Sequence, residues 1–165
     1  MDIVEIFNHE KPRFDGQPLY INDIELLTVQ HQSTIGNEKL LFHGTPLHYI
    51  DDIIKNGFDM TKAGSHMSGH IGLGMYFSDL ICQSIYYQLK EEYTGDEKYF
   101  KLLVCKVALG KSILLTRSIK TNNINLLDGY ASHITTYSQD GKHGHEYCIF
   151  NSQQIVPYAL LHLRC

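Results

Sequence analysis

The stretch KLLFHGTPLHYI, residues 39–50, constrains this chain more than any other. An apolar run of strand type stops on His43-Gly44, and a helix pattern begins at once. Thr45 reads as its N-cap and Pro46 as its first helical position. Leu47, Ile50, Ile53 and Ile54 then form one apolar stripe, and Gly57 closes the helix. A strand is thus handed straight to a helix. Backbone N–H groups at such a helix start favour anionic or hydrogen-bonding ligands, and a glycine there lets a ligand approach the main chain. A plain turn histidine and turn glycine explain the same letters.

The remaining segments predict an α+β chain. Residues 1–18, with Pro12, Gly16 and Pro18, read as an irregular lead-in, residues 21–29 as a strand and residues 30–39 as a polar loop. A loop rich in Gly, Ser and His follows over residues 61–74. Residues 74–77 lead into a second helix, capped by Ser78 and running to about Glu92, with Leu80, Ile81, Ser84, Ile85 and Leu89 on its inner side. YFKLLVCKVAL (residues 99–109) is apolar enough for a central strand. Residues 111–145 are weakly patterned, with one short apolar run at 113–115. EYCIF (146–150) and YALLHL (158–163) are two further strands around a polar turn at 151–157. Strands and helices mix without regular βαβ alternation, which disfavours a doubly wound sheet.

The 165 residues suit one domain. Net charge −4 and a pI near 6.2 give no basic footprint for general nucleic-acid affinity. The sequence has no apolar run long enough for a membrane span and no signal-peptide pattern at its start. Cys82, Cys105, Cys148 and Cys165 are spaced for neither a disulfide framework nor a zinc knuckle, so they are expected as reduced thiols in an intracellular protein, cytoplasmic or nuclear.

Three further constellations could carry chemistry. GHIGLGMYFSD (69–79) resembles a glycine phosphate loop only superficially; its glycines also suit a tight loop beside a strand, with Tyr76 and Phe77 in the core. Ser84 and Tyr87 share one helix face, as a clamp for a flat amide-bearing ring or as an ordinary amphipathic side. In HGHEYCIF (143–150), Glu146 points with Cys148 and Phe150, and a carboxylate in line with an apolar strand face needs partners. It is either a strand-edge residue or a site residue. His143 and His145 lack the ligand spacing of a metal site, and no metal is expected.

Taken in order, NEKLLFHGT (37–45), GLGMYFSD (72–79), the Ser84–Tyr87 pair, LLVCKVALGKS (102–112) and HEYCIFNSQQIVPYALLHL (145–163) resemble the catalytic domain of the poly(ADP-ribose) polymerase family, with a tankyrase-like flavour. The resemblance implies two packed, mostly antiparallel sheets flanked by short helices. It implies an ADP-ribosyltransferase that uses NAD+ as a substrate. His43 would bond the adenosine ribose, and Gly44, with Thr45 beside it, would hold the nicotinamide carboxamide with help from Ser84. Tyr76 and Tyr87 would sandwich the nicotinamide ring, and Glu146 would hold the ribose 2′-hydroxyl. His43, Tyr76 and Glu146 are thus the implied catalytic set. Residues 61–73 correspond to the loop over NAD+, and the acceptor region around Gly129 to Ser132 is short.

The resemblance further implies one catalytic domain over 1–165, with residues 1–20 as lead-in and no helical regulatory domain. It would act as a monomer away from membranes, on a protein acceptor or alternatively a nucleic acid. The glutamate is needed for polymer formation without guaranteeing it, so mono- and poly-transfer both stay open. The competing reading is a silent NAD+- or ADP-ribose-binding module.

Overall fold

The computed structural model describes residues 2–27, 35–63, 69–88, 98–139 and 141–165. The expected irregular lead-in is ordered. It opens with α1 (Ile3–Glu10), started by a capping box in which Asp2 and Glu5 each accept the other's backbone N–H. A short hairpin follows, β1 (Arg13–Phe14) on β2 (Gln17–Pro18). Next come β3 (Tyr20–Leu26), β4 (Glu38–His43), α2 (Leu47–Asn56), a 3₁₀ turn (Met60–Lys62), β5 (Met75–Ser78) and α3 (Ile81–Gln88). The C-terminal part holds β6 (Tyr99–Ala108), β7 (Ser112–Leu114), β8 (Ser132–Gln139), β9 (Lys142–Ile149), a 3₁₀ turn (Ser152–Gln154) and β10 (Ile155–Arg164). The predicted α+β class holds. The weakly patterned stretch 111–145 in fact contains β7, β8 and the start of β9. The expected ends of the 21–29 strand and of the second helix, and part of the 30–39 and 61–74 loops, lie outside the described residues.

Eight strands follow one hydrogen-bonded order, β3-β10-β6-β4-β5-β9-β8-β7, antiparallel except for β7 on β8. The two expected sheets are two halves of this ladder. They are joined through a single register pair, Phe42 in β4 with Ser78 in β5. The strands alternate in what they bury, as a pleated strand must. Phe42, Leu102, Val104, Leu161 and Leu163 share one core with Ile3, Phe14 and Leu19 from the lead-in and Ile81 and Ile85 from α3. Leu41, Leu103, Cys105, Val107 and Leu160 share the other with Ile50 of α2, Phe58, and Phe77, Tyr147 and Ile149 of the second half. The second core holds the halves face to face and sets the seam between β4 and β5. No helix among the described residues is long and apolar enough to cross a membrane. Cys82, Cys105 and Cys148 are buried free thiols, and Cys165 is a half-buried one.

Candidate active site

The seam opens into a cleft lined by His43, Gly44, Thr45, Tyr76 and Tyr87, together with Tyr49, Asp52, Phe58, Asp59 and Lys62. His43 ends β4 and crosses the seam. Its Nδ1 lies 2.7 Å from the Tyr76 carbonyl oxygen. That oxygen can only accept, so Nδ1 carries the proton and Nε2 is left as an acceptor. The ring packs at 5.0 Å against Phe58 and 5.1 Å against Phe77. Burial among these rings pushes the imidazole pKa down to about 4, so the neutral form prevails.

Gly44 follows without room for a side chain: a Cβ there would stand 1.7 Å from the Ser84 carbonyl oxygen of α3. The strand end thus lies directly on the helix backbone. Thr45 is buried, and its carbonyl accepts from Gln88 Nε2 at 3.2 Å. It does not cap α2 as expected. Pro46 holds that position, and no side chain bonds the first turn. A proline ring has nothing to offer an N–H, so those amides keep their donors for other partners.

Tyr76, in β5, is fixed at its hydroxyl, which accepts from Ile71 N and donates to Gly72 O, both at 2.9 Å. Tyr87, on the last turn of α3, donates its hydroxyl to Glu146 Oε1. Burial raises both phenols above their ordinary range, and the Glu146 charge adds to this at Tyr87. Two protonated tyrosines therefore line the cleft.

Glu146 sits behind Tyr87. It lies in β9, opposite Ser78 of β5 and Thr135 of β8, and is 1% exposed. A buried carboxylate survives only with partners. Oε1 accepts from Tyr87 and from Gln83 Nε2 at 2.9 Å; Oε2 is paired with Arg117. Ser78 donates to Gln83 Oε1 at 2.8 Å and so turns the amide nitrogen toward the carboxylate. Asp79 accepts from His145 N at 2.7 Å, which ties β9 to the end of β5 beside Glu146.

The structure thus gathers His43, Gly44, Thr45, Tyr76 and Tyr87 on one cleft, with Glu146 one hydroxyl behind it. Ser84 is placed differently. It is buried beneath Gly44 and donates to the Phe42 and Leu80 carbonyls at 3.2 and 3.3 Å. Sequence reasoning missed Gln83, Arg117 and Glu10. Gln83 stands four residues before Tyr87 on the same helix face, which is a readable signal. Arg117 lies beyond β7 in an unpatterned stretch and carried none. Glu10 is buried and accepts from Ile81 N at 2.7 Å and Cys82 N at 2.9 Å, so it caps α3 at the position given to Ser78. Ser78 instead accepts from Leu80 N at 2.9 Å, just before the helix. Among the described residues, no three of His, Cys, Asp or Glu are grouped to hold a metal ion.

Residues 1–165 match the family model described as "Poly(ADP-ribose) polymerase catalytic domain". Protein mono-ADP-ribosyltransferase PARP4 of Mus musculus is 38% identical over 89 residues, covering 50% of this chain and 4% of that protein. Poly(ADP-ribose) polymerase 1 of Caenorhabditis elegans is 32% identical over 99 residues, 59% of this chain and 10% of that protein. The tankyrase of the same species is 36% identical over 76 residues, 46% and 3% respectively. The tankyrase branch is therefore not singled out, and the chain spans a small fraction of each relative's length. With the family model matched from end to end and His43, Tyr76 and Glu146 converging on one seam, the chain belongs to the poly(ADP-ribose) polymerase catalytic domain family.

Proposed function

We propose that this chain is an NAD+-dependent ADP-ribosyltransferase, breaking the nicotinamide–ribose bond and passing ADP-ribose to an acceptor, a protein side chain in the first instance. The observation that carries the reading is the placing of the buried Glu146 carboxylate one hydroxyl behind a cleft walled by two tyrosines. Tyr76 and Tyr87 would stack the leaving nicotinamide ring, an arrangement in which flat aromatic faces are favourable. The Gly44 main chain would take its carboxamide, and the neutral His43 would offer Nε2 to a ribose hydroxyl of the adenosine. Bond breaking develops positive charge on the ribose, as in glycoside cleavage. Glu146 is then the nearby fixed negative charge that stabilises it. Retention of the glutamate is compatible with both single and repeated transfer.

The test is incubation with NAD+, following nicotinamide release and ADP-ribose attachment to protein. Absence of both would remove the enzyme reading. One observation favours the second reading, a silent NAD+- or ADP-ribose-binding module: Glu146 has partners on both oxygens. Calorimetric NAD+ binding without any turnover would establish that alternative.

A further inference from the structure

His133, the second residue of β8, does not line the cleft, yet it is fully buried and uses both ring nitrogens. Its Nδ1 lies 2.6 Å from the Ile71 carbonyl oxygen, and its Nε2 lies 3.0 Å from Leu127 N. A carbonyl can only accept and an amide can only donate, so Nδ1 carries the proton and Nε2 takes the Leu127 amide. The two bonds join the turn before β5 to the connection from β7 to β8, residues 115–131. That connection has no helix or strand of its own, and connections of such length are uncommon unless they serve a function. It is laid along the turn. Thr121 Oγ1 donates to His70 O at 2.8 Å. Asn123 accepts from Gly69 N at 3.1 Å and returns its own amide to Gly69 O at 2.8 Å. Leu73 N donates to Ile124 O at 2.9 Å. What the turn encloses is the Tyr76 hydroxyl, which accepts from Ile71 N and donates to Gly72 O. Gly72 is tight, since a Cβ there would meet Phe150 Cζ at 2.6 Å, and the same Phe150 ring packs at 4.7 Å on His133. Ile71 therefore has its amide on the cleft tyrosine and its carbonyl on His133.

We propose that His133 is a positioning residue for NAD+: by holding the turn around the Tyr76 hydroxyl, it fixes the Tyr76 ring as a stacking wall for nicotinamide. This rests on the reading of the cleft as an NAD+ site, and not on transfer taking place there. Tyr76 is only half-buried, and its ring is set by its two ends. His43 holds its carbonyl, and the turn holds its hydroxyl. A wall that is already still costs a ligand less to order. Slack in Ile71 would pass to the hydroxyl and from there to the ring. The connection is the anchor, and His133 is the side chain that carries its hold from Leu127 to Ile71.

The experiment measures NAD+ affinity by calorimetry on the full chain, with urea denaturation to confirm that each variant is folded. His133→Asn puts an amide nitrogen in the place of Nδ1 and keeps the bond to Ile71. His133→Gln puts its amide near Nε2 and keeps only the bond to Leu127. The Gln variant is expected to bind NAD+ about tenfold more weakly, the effect of one lost hydrogen bond, and the Asn variant to stay within about threefold of wild type. Tyr76→Phe removes the hydroxyl through which the effect passes, so in that background His133→Gln should cost about twofold or less. Equal losses in the Asn and Gln variants, or an undiminished loss in the Tyr76→Phe background, overturn the proposal and leave His133 a purely structural residue. If His133→Gln does not fold, Asn123→Gly makes the same comparison from the surface, because Asn123 is exposed and already has a positive φ of 56°. It should weaken NAD+ binding with Tyr76 present and not with Tyr76→Phe; equal effects in the two backgrounds overturn the proposal. NAD+ binding by wild type without nicotinamide release removes the transferase reading alone, and the affinities still decide this one. No NAD+ binding by wild type overturns both.

Discussion

His43 is held by the bond its Nδ1–H donates to the Tyr76 carbonyl, and its surroundings are rings. An unfolded histidine takes up its proton near pH 6.5, the folded one only near 4. Between these values the unfolded chain binds more protons. This residue's contribution to stability is therefore complete above about 6.5 and is lost as pH falls toward 4. His43→Gln removes the titration, so its urea midpoint should fall less than that of wild type between about pH 7 and about pH 4.5. Equal falls would assign the acid sensitivity elsewhere. The neighbouring Gly44→Ala must push β4 off α3, because the added carbon would meet the Ser84 carbonyl at 1.7 Å. A loss of about 1–3 kcal/mol or more is expected by urea denaturation, with NAD+ affinity lost alongside. At this scale the sequence left two readings of the strand end at His-Gly, a ligand-facing turn or a plain turn, and the structure puts both residues on the cleft. Thr45 was misread as the cap because helix propensity cannot see that its carbonyl is wanted by Gln88, forty-three residues away.

Elements place the remaining groups, and α3 places most of them. Gln83, Ser84 and Tyr87 all depend on where it begins, and that is decided by Glu10 at the far end of α1. Glu10→Ala should cost about 0.5–2 kcal/mol as a lost helix cap, and should also lower nicotinamide release by loosening Tyr87 and Gln83 on Glu146. Glu10→Gln retains an acceptor oxygen and should recover part of both. A variant with lower stability but full turnover per folded molecule would deny Glu10 its positioning role. The lead-in was read as irregular although Asp2-x-x-Glu5 is a capping-box pattern in plain view. Of the β8–β9 hairpin only the end of β9, in EYCIF, was read as strand. The Asp-Gly pair at 140–141 is a turn signal, but SHITTYSQ and KHGHEYCI alternate polar with polar, so the usual hydrophobic period is weak. Where core residues carried the signal, as in β6 and β10, the strands were legible.

Across the whole molecule, the site lies where two half-sheets meet through the single pair Phe42–Ser78. His43 to Tyr76 is a second bond over that seam, and the cleft opens beside it. A ligand bound there braces both halves. Saturating NAD+, at about a hundred times its dissociation constant, should add about 2.7 kcal/mol to unfolding stability and slow amide exchange at β4 and β5 more than in β10. Exchange slowed evenly throughout would place the ligand elsewhere. This seam was not legible in the sequence, since single-strand patterns do not report which strands adjoin. The central claim is that Glu146 is the charge on which ADP-ribosyl transfer depends. Its most direct test compares wild type with Glu146→Gln, which keeps shape and loses charge, using NAD+ labelled in the adenosine half. Wild type should attach label to protein, and the variant should lose about a hundredfold or more of that rate while still binding NAD+. Equal rates in the two proteins, or no label attached by wild type, would contradict it.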